Sequence, residues 1–284
     1  MTIAIIGATG KYGGHVIDAL LERGVTPSDI LALGRDGGRL EALASRGLRT
    51  APLDLDDAAG TAETLRGADK LLLVSIGAPG AALAPRTAAI DAATAAGVPH
   101  IVYTSALGAP TTTFALAAEH KATEDVITAS GMSATFLRNG WWTENLQQDF
   151  ETARARGVIA NSIGDGRLAT ATRRDTAEAA AVVLTTPGHE GHAYELSGDT
   201  AWNYAEFAQT AQDVLGTPVR YEPLTPEQER DMLLGAGLDE ATVGFLGVLH
   251  QGMREGSQAM TTGELSRLIG RPTTSMADTL SAWN

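Results

Sequence analysis

The chain has 284 residues, 44% of them hydrophobic and 19% charged, which is apolar material enough for a sizeable core and argues against wholesale disorder. Lys plus Arg number 21 against 34 Asp plus Glu, a formal net charge of −13, so phosphate backbones and acidic lipid surfaces are repelled, and neither a nucleic-acid nor a membrane partner is expected. Cysteine is absent, which removes disulfides, thiolate catalysis, iron–sulfur clusters and Cys-type zinc sites together. The opening MTIAIIGATG has no basic segment, and no apolar run approaches membrane-spanning length, so a cytoplasmic protein is expected. The length suits one or two domains.

In chain order, TIAIIG (2–7) reads as a fully apolar strand, and 11–23 as a helix with Val16, Ile17, Leu20 and Leu21 on one side. DILALG (29–34) is a second strand, 39–47 a helix stopped by Gly47, and LRTAPLD (48–54) a third strand. A short helix near 57–66 leads to KLLLVS (70–75). An Ala-rich helix over 82–96 stops at Gly97-Val98-Pro99 and gives way to HIVYTS (100–105). Residues 115–130 are helical up to Gly131, and SATFLRNG (133–140) is the next strand. Strands this apolar need cover on both faces, which helices in a βαβ series provide. The fold predicted is α/β, a doubly wound parallel (Rossmann) sheet with a smaller α+β C-terminal substrate lobe. The nucleotide-binding part is assigned to 1–150 and the smaller lobe to 151–284, with some segments returning to the sheet. There the pattern predicts a helix from Asp175 as its N-cap, a strand at 193–198, and helices at 202–215, from Thr225-Pro226, near 239–254 and at 274–283.

Gly7-Ala8-Thr9-Gly10-Lys11-Tyr12-Gly13 follows the first strand and opens a helix. Gly7 permits the tight turn, Gly10 lets the backbone approach a pyrophosphate, and Gly13 lets the helix pack on the sheet; the helix N-terminus then offers N–H groups and a partial positive charge. The second strand ends in Gly34-Arg35-Asp36. Arg35 matches the 2′-phosphate of NADP by charge and by its planar fork, or is a solvent-exposed Arg beside Asp36. Asp36 keeps some NAD use open. Asp54 either accepts from the adenine amino group or caps the next helix.

An ordered series of segments carries a resemblance: IIGATGKYGG, KLLLVS, VYTSAL, EHKATED, FLRNGWWTEN, GDGRLATATRRDTAEAAA, AYELSGDTAW and LSRLIGRPTT. In these the chain resembles the NmrA-like atypical short-chain dehydrogenases and, more closely, the bacterial type 2 NAD(P)H:quinone oxidoreductases. The resemblance implies NADP as cofactor, with neither metal nor flavin. By position it implies that Gly7, Ala8, Thr9, Gly10, Lys11 and Tyr12 form the phosphate loop and that Arg35 meets the 2′-phosphate. It further implies that Ser75, Ile76 and Gly77 line the ribose–pyrophosphate side, and that Asn139, Gly140, Trp141, Trp142, Thr143 and Glu144 lie by the nicotinamide.

Ordinary short-chain dehydrogenases use Tyr-x-x-x-Lys to exchange a proton with the substrate oxygen. Four positions after Tyr12, Tyr103, Tyr194, Tyr204 and Tyr221 stand Val16, Leu107, Gly198, Ala208 and Thr225, so that pair is absent. A quinone suits such a site. It is already electrophilic, it leaves a delocalised hydroquinone anion, and alignment of two flat partners supplies most of the catalysis.

Lys121 is the candidate electrostatic helper, on the strength of the resemblance; the alternative is an i,i+3 pair with Glu124 or plain solvation. Asn139 can fix the nicotinamide or orient a substrate carbonyl. Trp141 and Trp142 can stack on a flat acceptor or pack the core. Tyr103 and Ser105 can donate to the substrate or merely finish their strand, and Phe114 can line the acceptor pocket. The six histidines, His120 and the His189-Glu190-Gly191-His192 loop included, lack a third ligand at familiar spacing, so no metal is expected. The expected partner is a quinone-like small molecule, and a homodimer is compatible with the sequence. The competing readings are an NADP-binding redox sensor without turnover and a reductase of other conjugated acceptors such as dyes or enones.

Overall fold

The computed structural model describes every residue of the chain except Pro79. A wholly apolar run has no side to give to water and becomes a strand only where both faces are covered. β1 (Ile3–Ile6) and β2 (Ile30–Gly34) are such runs, and every residue of both is buried. They are followed by β3 (Arg49–Pro52), β4 (Lys70–Leu73), β5 (His100–Ala106) and β6 (Ser133–Asn139). The intervening helices are α1 (Lys11–Glu22), α2 (Gly37–Ser45), α3 (Ala58–Leu65), α4 (Leu83–Ala96) and α5 (Ala117–Ala129). The chain continues through α6 (Gln147–Arg156) and β7 (Val158–Asn161) to α7 (Arg173–Thr185) and β8 (Ala193–Leu196). It ends with α8 (Tyr204–Leu215), β9 (Arg220–Pro223), α9 (Pro226–Gly235), α10 (Glu240–Arg254), α11 (Glu264–Ile269) and α12 (Met276–Trp283).

Among the described residues, one sheet has the order β3-β2-β1-β4-β5-β6-β8, and a second pairs β7 with β9. Strands β1 to β6 pair in parallel, with Ile3 opposite both Ile30 and Lys70, and Leu71 opposite Ile101. The expected doubly wound parallel sheet is therefore the one that forms. Its order reverses between β1 and β4, and in such sheets ligands bind outside the carboxyl ends of the strands at that reversal. β3 is an edge strand, only partly buried, and there Pro52 is tolerated because no neighbour needs its missing N–H.

Two compact units are distinguishable. The first comprises Met1–Pro110, Leu116–Asn139 and Arg173–Glu195, and the second Thr111–Ala115, Gly140–Thr172 and Leu196–Asn284. In the first, Ala4 and Ile6 of β1 join Leu33, Leu65, Leu73, Ile90, Tyr103 and Ile127 in one apolar cluster. Ile3 and Ile5, also fully buried, point the other way by strand alternation, and α1 and α7 pack together. In the second, buried Glu229 accepts from the Ser162 N–H (3.1 Å) and hydroxyl (2.6 Å) and meets His250 Nδ1 at 2.8 Å, tying the end of β7 to α9 and α10.

Some sequence expectations are corrected. Asp175 is not an N-cap: α7 begins at Arg173, and Asp175 is a fully buried residue of its first turn, where a carboxylate still faces the positive end of the helix. Arg174, just before it, is exposed and pairs with Glu22 and Glu178. The cap of α3 is Asp57, which accepts from Gly60 N–H, whereas Asp54 accepts from Asp56 N–H. Four elements lie outside the expectation. β7 and β9 are four-residue strands, α11 has six residues, and α6 buries only Phe150 and Ala153, too few for a helical stripe to show.

α1 also makes a direct test of packing. A Cβ on Gly13 would lie 2.3 Å from the Gly7 carbonyl oxygen and 2.8 Å from Ala8 Cα, both backbone, whereas a Cβ on Gly14 meets nothing within 4 Å. Gly13→Ala should therefore cost about 3 kcal/mol or more. Gly14→Ala, in the same helical turn, should be neutral or stabilise by up to about 1 kcal/mol. Urea unfolding of the two variants measures both.

Candidate functional site

The turn after β1 is built from missing side chains. Gly7 has φ +92°, and a Cβ there would lie 2.9 Å from Val74 Cβ. Gly7 and Ala8 both donate backbone N–H to Leu33 O at 3.1 Å, which fastens the turn to the end of β2. Gly34 belongs to the same fit, since its Cβ would fall 2.5 Å from the Thr9 side chain. Gly10 is the N-cap of α1, exposed and in extended conformation, with no side chain capping the helix and no acid in its first turn. The first-turn N–H groups and the positive end of the dipole are thus left for an outside anion. Lys11 stands exposed beside them.

At the end of β2, Arg35 is exposed and makes no ion pair among the described residues. Asp36 caps α2 by accepting from the Arg39 N–H at 3.0 Å, and its other oxygen lies 3.3 Å from Arg39 Nε. Both oxygens are therefore engaged. Arg39 also donates to Thr9 O at 2.7 Å. Sequence reasoning missed this second cation; its position three residues after a capping Asp was the available signal.

After β4, the Ser75 N–H donates to Thr104 Oγ1 at 2.7 Å, and buried Arg86 donates to Ile76 O at 2.9 Å. Gly77 has φ +98°, and a Cβ on it would come 2.6 Å from Ala82 Cα. Asn139 closes β6; its backbone oxygen accepts from Leu107 N–H at 2.9 Å. Its side chain is buried, and Oδ1 has no hydrogen-bond partner. Tyr12 is buried too, and its hydroxyl donates to Thr176 O at 3.1 Å. Burial drives its pKa well above the ordinary value, partly offset by hydrogen bonds with Asn139 and Thr176. The Tyr12 side chain is thus turned inward, and only its backbone faces the turn. Two features fit a dinucleotide: a cradle in which side chains would collide, and a buried acceptor lacking a donor.

Known proteins agree with this geometry. Residues 7–187 match the model of the NAD(P)H-binding family, which is well over half of the chain. The chain belongs to this NAD(P)H-binding family. It is 39% identical over 279 residues to quinone oxidoreductase 2 of Escherichia coli (strain K12), covering 98% of this chain and 97% of the relative. The crystal structure of the NADPH-dependent quinone oxidoreductase of Escherichia coli complexed with NADPH superposes with a TM-score of 0.94 at 38% identity, covering 99% of both chains. The Citrobacter sp. triphenylmethane reductase complexed with NADP(H) also gives 0.94, at 30% identity over all of both chains. The resemblance drawn from the sequence segments is borne out.

Within this family member the EHKATE segment is a row of structural ties. Glu119 accepts from the N–H groups of Gly80 (3.1 Å) and Ala82 (3.2 Å). His120 Nδ1 meets the Tyr103 hydroxyl at 3.0 Å. Lys121 Nζ lies 2.7 Å from both oxygens of Asp125, so its surface pair is i,i+4 with Asp125 and not i,i+3 with Glu124. Glu124 instead binds Arg138 in the first unit. It accepts from Nη2 at 2.7 Å and from Nε at 2.9 Å, and it also accepts from Ser105 Oγ at 2.6 Å. Glu195 takes the remaining Arg138 fork at 2.9 Å and the Gly108 N–H at 2.7 Å. Hydrogen bonds donated to Glu124, outweighing desolvation, hold the guanidinium pKa above its ordinary value.

Three further candidates are buried. Tyr103 is fully buried in the core cluster, and burial pushes its hydroxyl up to about 12, so it is not placed to donate to an acceptor. Ser105 is buried on Glu124. Phe114 is buried in the second unit, edge-on to Trp141 with centroids 6.2 Å apart and against Gly252, where a Cβ would meet its ring at 2.8 Å. Trp142 is half-buried, bridged to Ala171, and buried Thr143 donates its N–H to Ala171 O at 3.0 Å. Trp141, Gly140 and Glu144 are also half-buried. His189 sits between Thr186 and Tyr194, and His192 stacks on Tyr194.

Two outcomes follow from these contacts. Arg138→Met strands two inward-facing carboxylates and should cost about 3–5 kcal/mol in urea unfolding, whereas Lys121→Ala breaks an exposed pair and should cost under about 1 kcal/mol with kcat within about twofold of the parent. Burial, reinforced by the Arg86 charge, lowers His120 to about pH 4. The folded protein therefore prefers neutral His120. Its contribution is complete above the unfolded value of 6.5 and is lost as pH falls from there towards 4. Unfolding midpoints at pH 7 and pH 5 should diverge in the parent and converge in His120→Asn.

Proposed function

We propose that the protein is an NADPH-dependent oxidoreductase that passes a hydride to a quinone or a similarly flat, electrophilic acceptor. The observation that carries this reading is the near-complete, end-to-end likeness to an NADPH-dependent quinone oxidoreductase, in a chain whose own glycine turn is shaped for a pyrophosphate. NADPH supplies the hydride when bound.

The protein's residues bind and orient. Backbone N–H groups at the start of α1, around Gly10, Lys11 and Tyr12, meet the pyrophosphate, with Gly7, Ala8 and Thr9 shaping the turn. Arg35 meets the 2′-phosphate, and Arg39 adds a second positive charge on the same side. The pairing of Asp36 with the Arg39 N–H and guanidinium supports NADP over NAD, because it offsets the negative charge that would repel a 2′-phosphate. Ser75, Ile76 and Gly77 line the ribose–pyrophosphate side, and Asn139 lies by the nicotinamide. Gly140, Trp141, Trp142, Thr143 and Glu144 are assigned to the nicotinamide and acceptor end, with Trp142 as the surface on which a flat acceptor stacks.

The acceptor class follows from what the chain lacks. Without Tyr-x-x-x-Lys, and with Tyr103 sealed inside the core, no phenol is poised to protonate a developing alkoxide. A quinone tolerates this because its reduced anion is delocalised and takes its proton from water. Triphenylmethane dye cations form a second class, favoured by the equally high structural match to a triphenylmethane reductase.

NADPH oxidation with a panel of benzoquinones, naphthoquinones and a triphenylmethane dye tests the reading. Turnover with at least one quinone is expected, and NADP binding with no turnover of any acceptor would instead establish a sensor. Arg35→Ala should raise the KM for NADPH more than about tenfold, the loss of a charge-assisted contact, while leaving the KM for NADH within about twofold. Equal effects on both would remove Arg35 from the 2′-phosphate.

A further inference from the structure

We propose that Arg86 is a positioning residue: by holding the Ile76 carbonyl inward it turns the Gly77 N–H outward, as a donor to a pyrophosphate oxygen of the bound dinucleotide. The inference rests on the NADPH reading above and deepens it.

The orientation follows from the geometry of one peptide. No described peptide bond is cis, and in a trans peptide the carbonyl oxygen and the N–H point in opposite directions across one plane. The Ile76 oxygen accepts from Arg86 Nε at 2.9 Å, and Arg86 is only 5% exposed, so this carbonyl faces the interior. The Gly77 N–H therefore faces the other way. Gly77 is exposed, and among the described residues its N–H has no acceptor. The chain is anchored on both sides of the peptide. The Ser75 N–H is held by Thr104 Oγ1 at 2.7 Å, and Gly77 lies against the start of α4, where a Cβ would come 2.6 Å from Ala82 Cα. All these residues belong to the first unit.

A glycine at this position makes a selector necessary. Gly77 has φ +98°, and a half-turn of the Ile76–Gly77 peptide would carry it to a negative φ that glycine adopts as readily. The half-turn would set a carbonyl oxygen where the N–H stands, and a carbonyl oxygen repels a phosphate. It would also set the N–H against the Arg86 guanidinium, donor against donor. Arg86 thus selects the one orientation that suits an anion.

Charge points the same way. A buried cation is costly unless it is paired. Arg86 makes no ion pair among the described residues; its acceptors are Ile76 O and, at 3.5 Å, Thr123 Oγ1, both neutral. A neutral donor would serve to fasten one carbonyl. A guanidinium does more: with the cation on the carbonyl end and a phosphate on the N–H end, the peptide is polarised in one sense from both sides, which strengthens both hydrogen bonds.

The test uses NADP and adenosine 2′-monophosphate, which lacks the pyrophosphate. Calorimetric titration should show Arg86→Met binding NADP about tenfold more weakly than the wild type, the size of one hydrogen bond to a charged group, and binding the monophosphate within about twofold of it. Arg86→Lys, which can still donate to the Ile76 oxygen, should recover most of the lost affinity. Amide hydrogen exchange at Gly77 reads the peptide itself. Saturating NADP should slow it more than about tenfold in the wild type and in Arg86→Lys, and leave it fast in Arg86→Met. An unchanged NADP affinity in Arg86→Met, an equal weakening of the monophosphate, or Gly77 exchange that saturating NADP does not slow in the wild type would overturn the proposal; the second result would make Arg86 a support of the fold only. Failure of the wild type to bind NADP at all would instead remove the function on which it rests. Should Arg86→Met not fold, the wild type decides alone. Slow exchange of the Arg86 Nε–H in the free protein, together with slowing at Gly77 by NADP, supports the held peptide, and fast exchange at Arg86 refutes it.

Discussion

The start of α1 lies so close to the turn after β1 that the two backbones share the space a side chain at Gly13 would need. A Cβ there would be 2.3 Å from the Gly7 oxygen. This contact sets the direction of α1, and that direction aims its uncapped first turn out of the carboxyl edge of the sheet. The adjoining features are adjusted to it. Gly34 has no side chain where Thr9 passes, and Leu33 O receives two N–H groups from the turn. The cradle is held by close packing of backbone on backbone, which transmits strain and leaves little room for rearrangement.

Close packing explains shape but not charge. A chain with a net charge of −13 must offer a local positive field to hold a polyanionic cofactor. It does so with few groups. The α1 N-terminus carries no acid in its first turn, Lys11 and Arg35 stand exposed, and Asp36, next to Arg35 in sequence, meets its cap N–H and Arg39. An acid beside the proposed 2′-phosphate site looks unfavourable in the sequence. In the structure it is a helix cap whose charge is met by the helix dipole and by a guanidinium.

Local rules made much of this legible beforehand. The β1 turn, the parallel series and the Arg at the end of β2 could be read because apolar strands, glycine spacing and helix starts are properties of adjacent residues. What escaped depends on contacts between distant ones. The Glu124–Arg138–Glu195 network joins residues on α5, β6 and β8, and nothing in EHKATED or FLRNG reveals that Glu124, rather than Lys121, is the charged group that turns inward. Ser105 lies near the end of β5 and Tyr103 at its middle, and strand alternation alone does not say that both hydroxyls are claimed from α5. Phe114 was placed in the correct loop, but its burial against Gly252 joins positions far apart in sequence.

These inward-turned groups bear on the chemistry. The polar side chains of β5 are used here to hold strand and helix together. Tyr103 is on His120, and Ser105 is on Glu124. Freeing either would leave a buried partner unsatisfied, at a cost of about 1–3 kcal/mol, so the site gains no acid without losing stability. Selectivity must then come from the acceptor. A molecule whose reduced form spreads its charge can take a hydride without a proton arriving at the same moment, whereas an isolated ketone cannot. The preference proposed here thus follows from a core that keeps its hydroxyls, as much as from any group that touches the acceptor.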